Sequence, residues 1–214
     1  MTYTGEVSPG GPSDTRELRR LTITKLSVGP MDNNAYLLRC KDTGEAVLID
    51  AANEAPRLIE AIGPTGISTV ITTHRHGDHW QALREVLAAT GARSVAHAAD
   101  AAAVPDVTST VEDGDRIPVG TCDVKVIHIV GHTPGSIALY YPEDGGHLFT
   151  GDSLFPGGPG RTTNPEDFTS LMDDLEAKVF GQLPDDTWFY PGHGKDSVLG
   201  KERPSIPEWR ARGW

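Results

Sequence analysis

The stretch Val70-Ile71-Thr72-Thr73-His74-Arg75-His76-Gly77-Asp78-His79 packs three of the chain's eight histidines and an aspartate into a hexapeptide behind a short β-branched run. A neutral imidazole offers a lone pair to a metal ion near neutral pH. Histidines two apart in a loop can turn toward one ion, and the adjacent Asp and His can face a second.

Working outward, the same arrangement recurs at a distance. His132 follows Val126–Val130 and a glycine, Asp152 follows Leu148-Phe149-Thr150 and a glycine, and His193 follows Trp188-Phe189-Tyr190 and Pro-Gly. Four strand-like runs thus end in a candidate ligand, mostly after a residue that lets the backbone turn sharply. With those ends along one edge of a sandwich, seven groups converge: His74, His76, Asp78, His79, His132, Asp152 and His193. Five His and two Asp suit zinc, while iron and manganese accept similar sets. Two ions sharing a water about 3.5–4 Å apart are a recurring hydrolytic arrangement. His97, His128 and His147 lack this context and read as ordinary structural or surface histidines.

The remaining apolar runs read as strands at Leu21–Val28, Ala35–Cys40, Ala46–Asp50, Ser94–His97 and Ile137–Tyr141, with Gly44 and Gly145-Gly146 as hairpin turns. Helices are predicted from Pro56 to Gly63, from Trp80 to Thr90 and from Asn164 to Phe180. The last has Asn164 as N-cap and Phe168, Leu171, Met172, Leu175 and Val179 as its buried stripe. Strand groups interleaved with helices predict a layered α/β domain. Residues 1–17 read as a flexible tail and 18–214 as a single domain.

Composition narrows the function. The 214 residues carry 19 Lys+Arg against 30 Asp+Glu, a formal charge of -11. That balance argues against a phosphate-backbone binder, and no apolar stretch approaches a membrane span. No signal peptide is evident, so the default location is cytoplasmic. Cys40 and Cys122 fall in strand-like runs and read as reduced core thiols.

The segments THRHGDH (73–79), GHTPGS (131–136), TGDSLF (150–155) and YPGHG (190–194) together resemble the metallo-β-lactamase fold superfamily, in the family's order. The resemblance implies a four-layer αββα sandwich with metals at one edge. Within the superfamily the sequence is most similar to the glyoxalase II group of hydroxyacyl-thiol hydrolases. That similarity implies one metal held by His74, His76 and His132, another by Asp78, His79 and His193, and Asp152 bridging them. β-Lactamases proper lack a bridging carboxylate there. Long glyoxalase II enzymes add a C-terminal helical domain that binds glutathione; with the chain ending at Trp214, a short single-domain form is expected. Trp80-Gln81 replace a common small residue and glycine, and Thr163-Asn164 stand where an acidic–aromatic pair is common.

The implied chemistry is thioester hydrolysis of a small thiol conjugate at two divalent ions, zinc first and iron or manganese next. A bridging hydroxide attacks, with Asp152 joining the ions and Asp78 orienting the nucleophile. A thiol leaves without a strong general acid. Neither nucleic acid nor membrane is expected as a partner. Arg161 is either a contact for a substrate carboxylate or a surface arginine in a Gly-rich loop. Asp50 either supports a ligand histidine from behind or caps a turn. Asn33 and Asn34 read as shaping the start of a strand, and Trp209 and Trp214 as docking the C-terminus. The rival readings are a persulfide dioxygenase with one iron at His74, His132 and Asp152, a phosphodiesterase of the same fold, and a non-catalytic metal-stabilised module.

Overall fold

A strand sandwiched between two layers buries both faces, so its even and odd residues are both apolar but pack into different cores. The computed structural model describes residues 2–213 and is built largely from such strands. Its first half runs β1 (Asp14–Glu17), β2 (Leu21–Val28), β3 (Asn33–Cys40), β4 (Ala46–Ile49), α1 (Ala55–Ile62), β5 (Thr69–Ile71), α2 (Leu83–Thr90), β6 (Arg93–His97), α3 (Ala98–Ala101) and β7 (Ser109–Val111). The second half runs β8 (Arg116–Val119), β9 (Cys122–His128), β10 (Ile137–Tyr141), β11 (His147–Gly151), β12 (Leu154–Phe155), β13 (Gly158–Pro159), α4 (Pro165–Asp174), β14 (Trp188–Pro191), β15 (Ser197–Val198), α5 (Leu199–Glu202) and α6 (Ile206–Arg212).

One sheet has the order β1-β2-β3-β4-β5-β6-β7 and the other β15-β14-β11-β10-β9-β8. Tyr36, Leu38 and Cys40 of β3 face the opposite sheet, where Val124 and Val126 of β9 and Leu139 of β10 meet them. Ala35 and Leu37 point the other way, into a core with Leu58 of α1 and Val86 of α2. Ile127 of β9 likewise turns outward, against Leu171 and Met172 of α4 and Trp209 of α6. Three cores between four layers give the αββα sandwich that the family resemblance implies.

Strand direction places the functional edge. β4, β5, β6 and β7 run parallel, joined by right-sized helical crossovers, and β11 runs parallel to β14 across the connection that holds α4. Parallel strands deliver their carboxyl ends, and the loops after them, to a common edge. The loops after β4, β5, β11 and β14 carry Asp50, the histidine-rich stretch, Asp152 and His193.

Some elements differ from the sequence reading. Asp14–Glu17, assigned to the tail, forms β1, with Thr15 opposite Thr24. As a polar edge strand with alternating exposure it carries no apolar signal. Ahead of it, the Tyr3 hydroxyl donates to Asp196 Oδ2 at 2.6 Å and Gly5 N to Asp14 Oδ2 at 2.9 Å. β8 was hidden by Pro118, which an edge strand tolerates. α2 begins at Leu83 rather than Trp80, because residues 77–79 form a separate 3₁₀ turn. The long helix stays α-helical to Asp174 and then widens into a π-helix over Leu175–Phe180, which keeps Leu175, Val179 and Phe180 buried. Cys40 and Cys122 are unpaired and buried. Trp209 is buried against α4, while Trp214 and Met1 lie outside the described residues. Among the described residues no helix is long and apolar enough to cross a membrane.

Candidate metal centre

The histidine-rich loop leaves β5 and is fixed from three sides. Asp50 Oδ1 accepts from Thr73 N and Oδ2 from Thr73 Oγ1, each at 2.8 Å. Asp100 Oδ2 accepts from Arg75 N at 3.0 Å, and the Trp80 indole N–H donates to the Arg75 carbonyl at 3.0 Å. The loop closes in the 3₁₀ turn Gly77–His79, where His79 N donates to the His76 carbonyl.

All seven residues singled out from the sequence come together, in three overlapping groups that could each hold a metal ion: His74, His76 and His132; His74, His79 and Asp152; Asp78, His79 and His193. His79 Nε2 lies 3.3 Å from His193 Nε2 and 3.4 Å from both Asp78 Oδ2 and Asp152 Oδ1. His193 Nε2 lies 3.3 Å from Asp78 Oδ2 and 3.5 Å from Asp152 Oδ2. Donors at ~2.0–2.1 Å from a shared tetrahedral ion are separated by roughly 3.3 Å. These spacings fit a common ion. On the other side, the rings of His74, His76 and His132 meet edge to face at centroid distances of 4.6–4.8 Å.

Hydrogen bonds decide which ring nitrogen faces inward. His79 Nδ1 is 2.8 Å from Asp50 Oδ2, His132 Nδ1 is 2.7 Å from the Arg161 carbonyl, and His193 Nδ1 is 2.9 Å from the Met31 carbonyl. Carboxylates and carbonyls only accept, so each Nδ1 carries the proton. His74 Nδ1 is 3.0 Å from Thr73 Oγ1, whose own proton goes to Asp50, so this nitrogen also donates. Four Nε2 lone pairs therefore point at one another and at two carboxylates. His74 Nε2, His132 Nε2 and Asp152 Oδ1 are buried without a hydrogen-bond partner. Orphaned acceptors gathered at one point are what a cation would satisfy.

The titration shifts follow from the same crowding. Burial and then the neighbouring imidazoles hold His74 well below the ordinary histidine range, and burial lowers His132. Burial also opposes charge on His79, but Asp50 and Asp152 outweigh it and push its pKa up to about 10. Burial would raise Asp152, yet the imidazoles of His193, His79 and His74 gathered around it hold it far below the usual carboxylate range. Asp78 is lowered too, its burial outweighed by the Asn33 amide and by His79. With His74 and His132 held neutral and a proton drawn onto His79 by the surrounding carboxylates, the cluster is a place that favours positive charge.

Of the two readings of Asp50, the contact behind a ligand-type histidine is the one realised, with its backbone at φ 58°. Asn33 does more than begin a strand: its Nδ2 donates to Asp78 Oδ2 at 2.8 Å. Asn34 Nδ2 ties the Pro191 and Gly194 carbonyls around His193. Asp100 was not singled out, yet it also accepts from Thr133 Oγ1 at 2.5 Å and Gly135 N at 3.0 Å, clamping the loops of His74 and His132 together. No local pattern marks it. Gly192 packs against the cluster so closely that a Cβ would stand 2.2 Å from Asp152 Oδ1 and 2.7 Å from His79 Cε1. Arg161 is exposed; its carbonyl holds His132 and its side chain lines a neighbouring cleft. His97 and His128 stack on each other at 3.8 Å and His147 bonds the Tyr190 hydroxyl, all outside the three groups.

The chain is similar to known proteins along most of its length. The family model for the metallo-beta-lactamase superfamily matches residues 28–193. A hydroxyacylglutathione hydrolase of Rhodospirillum rubrum is 38% identical over 164 residues, which cover 76% of this chain. The chain spans 62% of that relative's length. The crystal structure of ETHE1 from Myxococcus xanthus superposes with a TM-score of 0.77 at 28% identity, covering 88% of this chain and 84% of the other. The B3 metallo-beta-lactamase BLEG-1 superposes with a TM-score of 0.75 at 27% identity, covering 87% and 99%.

Proposed function

The chain belongs to the metallo-beta-lactamase superfamily, and on that premise we propose that it is a dinuclear metallohydrolase that cleaves a hydroxyacyl thioester. The observation that carries this reading is the set of inward Nε2 lone pairs around Asp78 and Asp152. His74, His76 and His132 would hold one divalent ion, Asp78, His79 and His193 the other, with Asp152 joining them. Zinc suits these ligands, and iron or manganese could replace it. Bound there, the ions supply a water acidified to near neutral pKa and a Lewis acid for the acyl oxygen. Asp78, held by Asn33, orients the attacking water. The Nδ1 contacts keep the imidazoles in one tautomer and one orientation. The thiol product, with a pKa of ~8.5, leaves as thiolate. The curated relatives named hydroxyacylglutathione hydrolase support a glutathione thioester as the substrate class.

The test is metal quantification on protein purified without added metal, followed by a thioester panel. We expect two equivalents of metal per chain and hydrolysis of a hydroxyacyl glutathione thioester. His76→Ala and Asp152→Ala should each lose metal and lower kcat/KM more than ~100-fold. Full turnover with one equivalent would sink the two-metal site; no thioester turnover at full loading would sink the function.

The likeness to the ETHE1 structure supports a second reading, oxidation of a persulfide at one iron held by His74, His132 and Asp152. That reading leaves the close triad of Asp78, His79 and His193 without a use. Oxygen uptake with glutathione persulfide separates the two.

A further inference from the structure

The loop that carries His193 has little of its own to hold it in place. Glycines flank the histidine on both sides, and Gly194 has a φ of 71° with nothing within 4 Å of where a Cβ would stand. The His193 side chain is 22% exposed, whereas His74 and His79 are buried. Glycines raise the conformational entropy that ordering such a loop must overcome. The segment is held instead through its carbonyls. Asn34 N donates to the Gly192 carbonyl at 2.7 Å, and the Tyr36 hydroxyl to the Pro191 carbonyl at 2.6 Å. The Gly194 carbonyl accepts twice, from Asn34 Nδ2 at 2.9 Å and from Lys25 Nζ at 2.8 Å.

Lys25 lies on β2, which carries no ligand, and its side chain is fully buried. All three ammonium hydrogens are used: on Gly194, on the Gly5 carbonyl at 3.0 Å and on Asp196 Oδ1 at 2.6 Å. Asp196, three residues beyond His193, is itself buried, and its other oxygen accepts from the Tyr3 hydroxyl at 2.6 Å. Gly5 closes over the pair at φ 70°, where a Cβ would stand 2.2 Å from Asp196 Oδ2. Residues 3–5 thus form a strap across a buried ion pair, and the pair grips the peptide that follows His193. Such a pair contributes little net stability over apolar residues of the same volume, but its hydrogen bonds fix direction as well as distance. Tyr3, Gly5, Lys25 and Asp196 fall outside the 28–193 span of the family match, so the clamp is not part of what that match describes.

We propose that Lys25, with Asp196 and the strap over them, is a positioning residue for His193, and so sets the affinity of the ion held by Asp78, His79 and His193 without touching it. This rests on the two-ion reading and adds what governs the occupancy of one of the two ions. The loops of His74 and His132 are tied by Asp100 instead.

Zinc titration against a competing chromophoric chelator, on wild-type protein and variants, tests it by resolving the two equivalents. Lys25→Met should weaken one of them roughly tenfold and leave the other within about twofold. His193→Ala identifies the weakened one, and in that background Lys25→Met should add nothing, because the residue through which it acts is gone. Lys25→Met leaves Asp196 buried and unpaired, so Lys25→Met/Asp196→Asn serves as the version without a stranded charge. Tyr3→Phe, which removes only the strap's hydroxyl, should give a smaller loss at the same equivalent. Hydrogen exchange adds a readout that needs no metal: amides of residues 192–196 should exchange roughly tenfold faster in the variants, with those of 74–79 unchanged. Equal weakening of both equivalents, effects additive with His193→Ala, or unchanged exchange at 192–196 would overturn the clamp. A wild-type protein that binds one equivalent only, with the selective exchange change intact, would leave the clamp standing and remove the two-ion reading instead.

Discussion

Asp50 shows how much one side chain can set. Its two oxygens accept from Thr73 N, Thr73 Oγ1 and His79 Nδ1, and through Thr73 it also fixes the tautomer of His74. It is 2% exposed, so deleting it leaves buried donors unanswered. Asp50→Ala should cost about 2–4 kcal/mol of stability and weaken metal binding ~10–100-fold. Urea denaturation and metal titration read the two effects separately; intact metal affinity would reject the role. Asp50→Asn keeps an acceptor and tolerates the left-handed backbone, so its loss should be smaller. The residue was visible in the sequence as the end of a strand. Its partner was not, because 29 residues and a helix separate Asp50 from His79.

At the scale of elements, α4 backs the loop that carries His132. Gly131 sits against it at φ 143°, where a Cβ would come 2.5 Å from both the Asp167 carbonyl and Leu171 Cβ. Asp174 Oδ2 accepts from Val130 N, and Lys178 Nζ donates to the His128 carbonyl. The start of the helix was legible in sequence, since capping is local: Asn164 accepts from Asp167 N at 2.8 Å, with Pro165 at the first turn and Glu166 and Asp167 at the positive dipole end. Asn164→Ala should cost ~1 kcal/mol, read as a lower urea midpoint with unchanged slope. An unchanged midpoint would mean the cap contributes nothing. The widening after Asp174 was not legible, because it follows from what the last turns pack against.

For the whole molecule, acid sensitivity follows from a histidine far from any ligand role. His147 is 1% exposed, and burial followed by the Arg16 charge pushes its pKa down to about 4. The folded chain keeps it neutral, while the unfolded chain protonates it near ~6.5. Its contribution is therefore complete above that pH and is lost as pH falls toward 4, by up to about 3 kcal/mol. Urea midpoints of metal-loaded protein should drop over this window, and His147→Phe should flatten the drop. An equally steep drop in the variant would rule His147 out. Local spacing in the sequence was enough for the seven candidate ligands at strand ends, the short apolar β-branched runs, the helix caps, and so the layered fold. Only the tertiary structure decided which distant groups meet: Asn33 on Asp78, Asp100 across two loops, and Lys25 on Gly194. Such pairs depend on strand register and on how helices return across the sheets, and neither is written in the residues that pair.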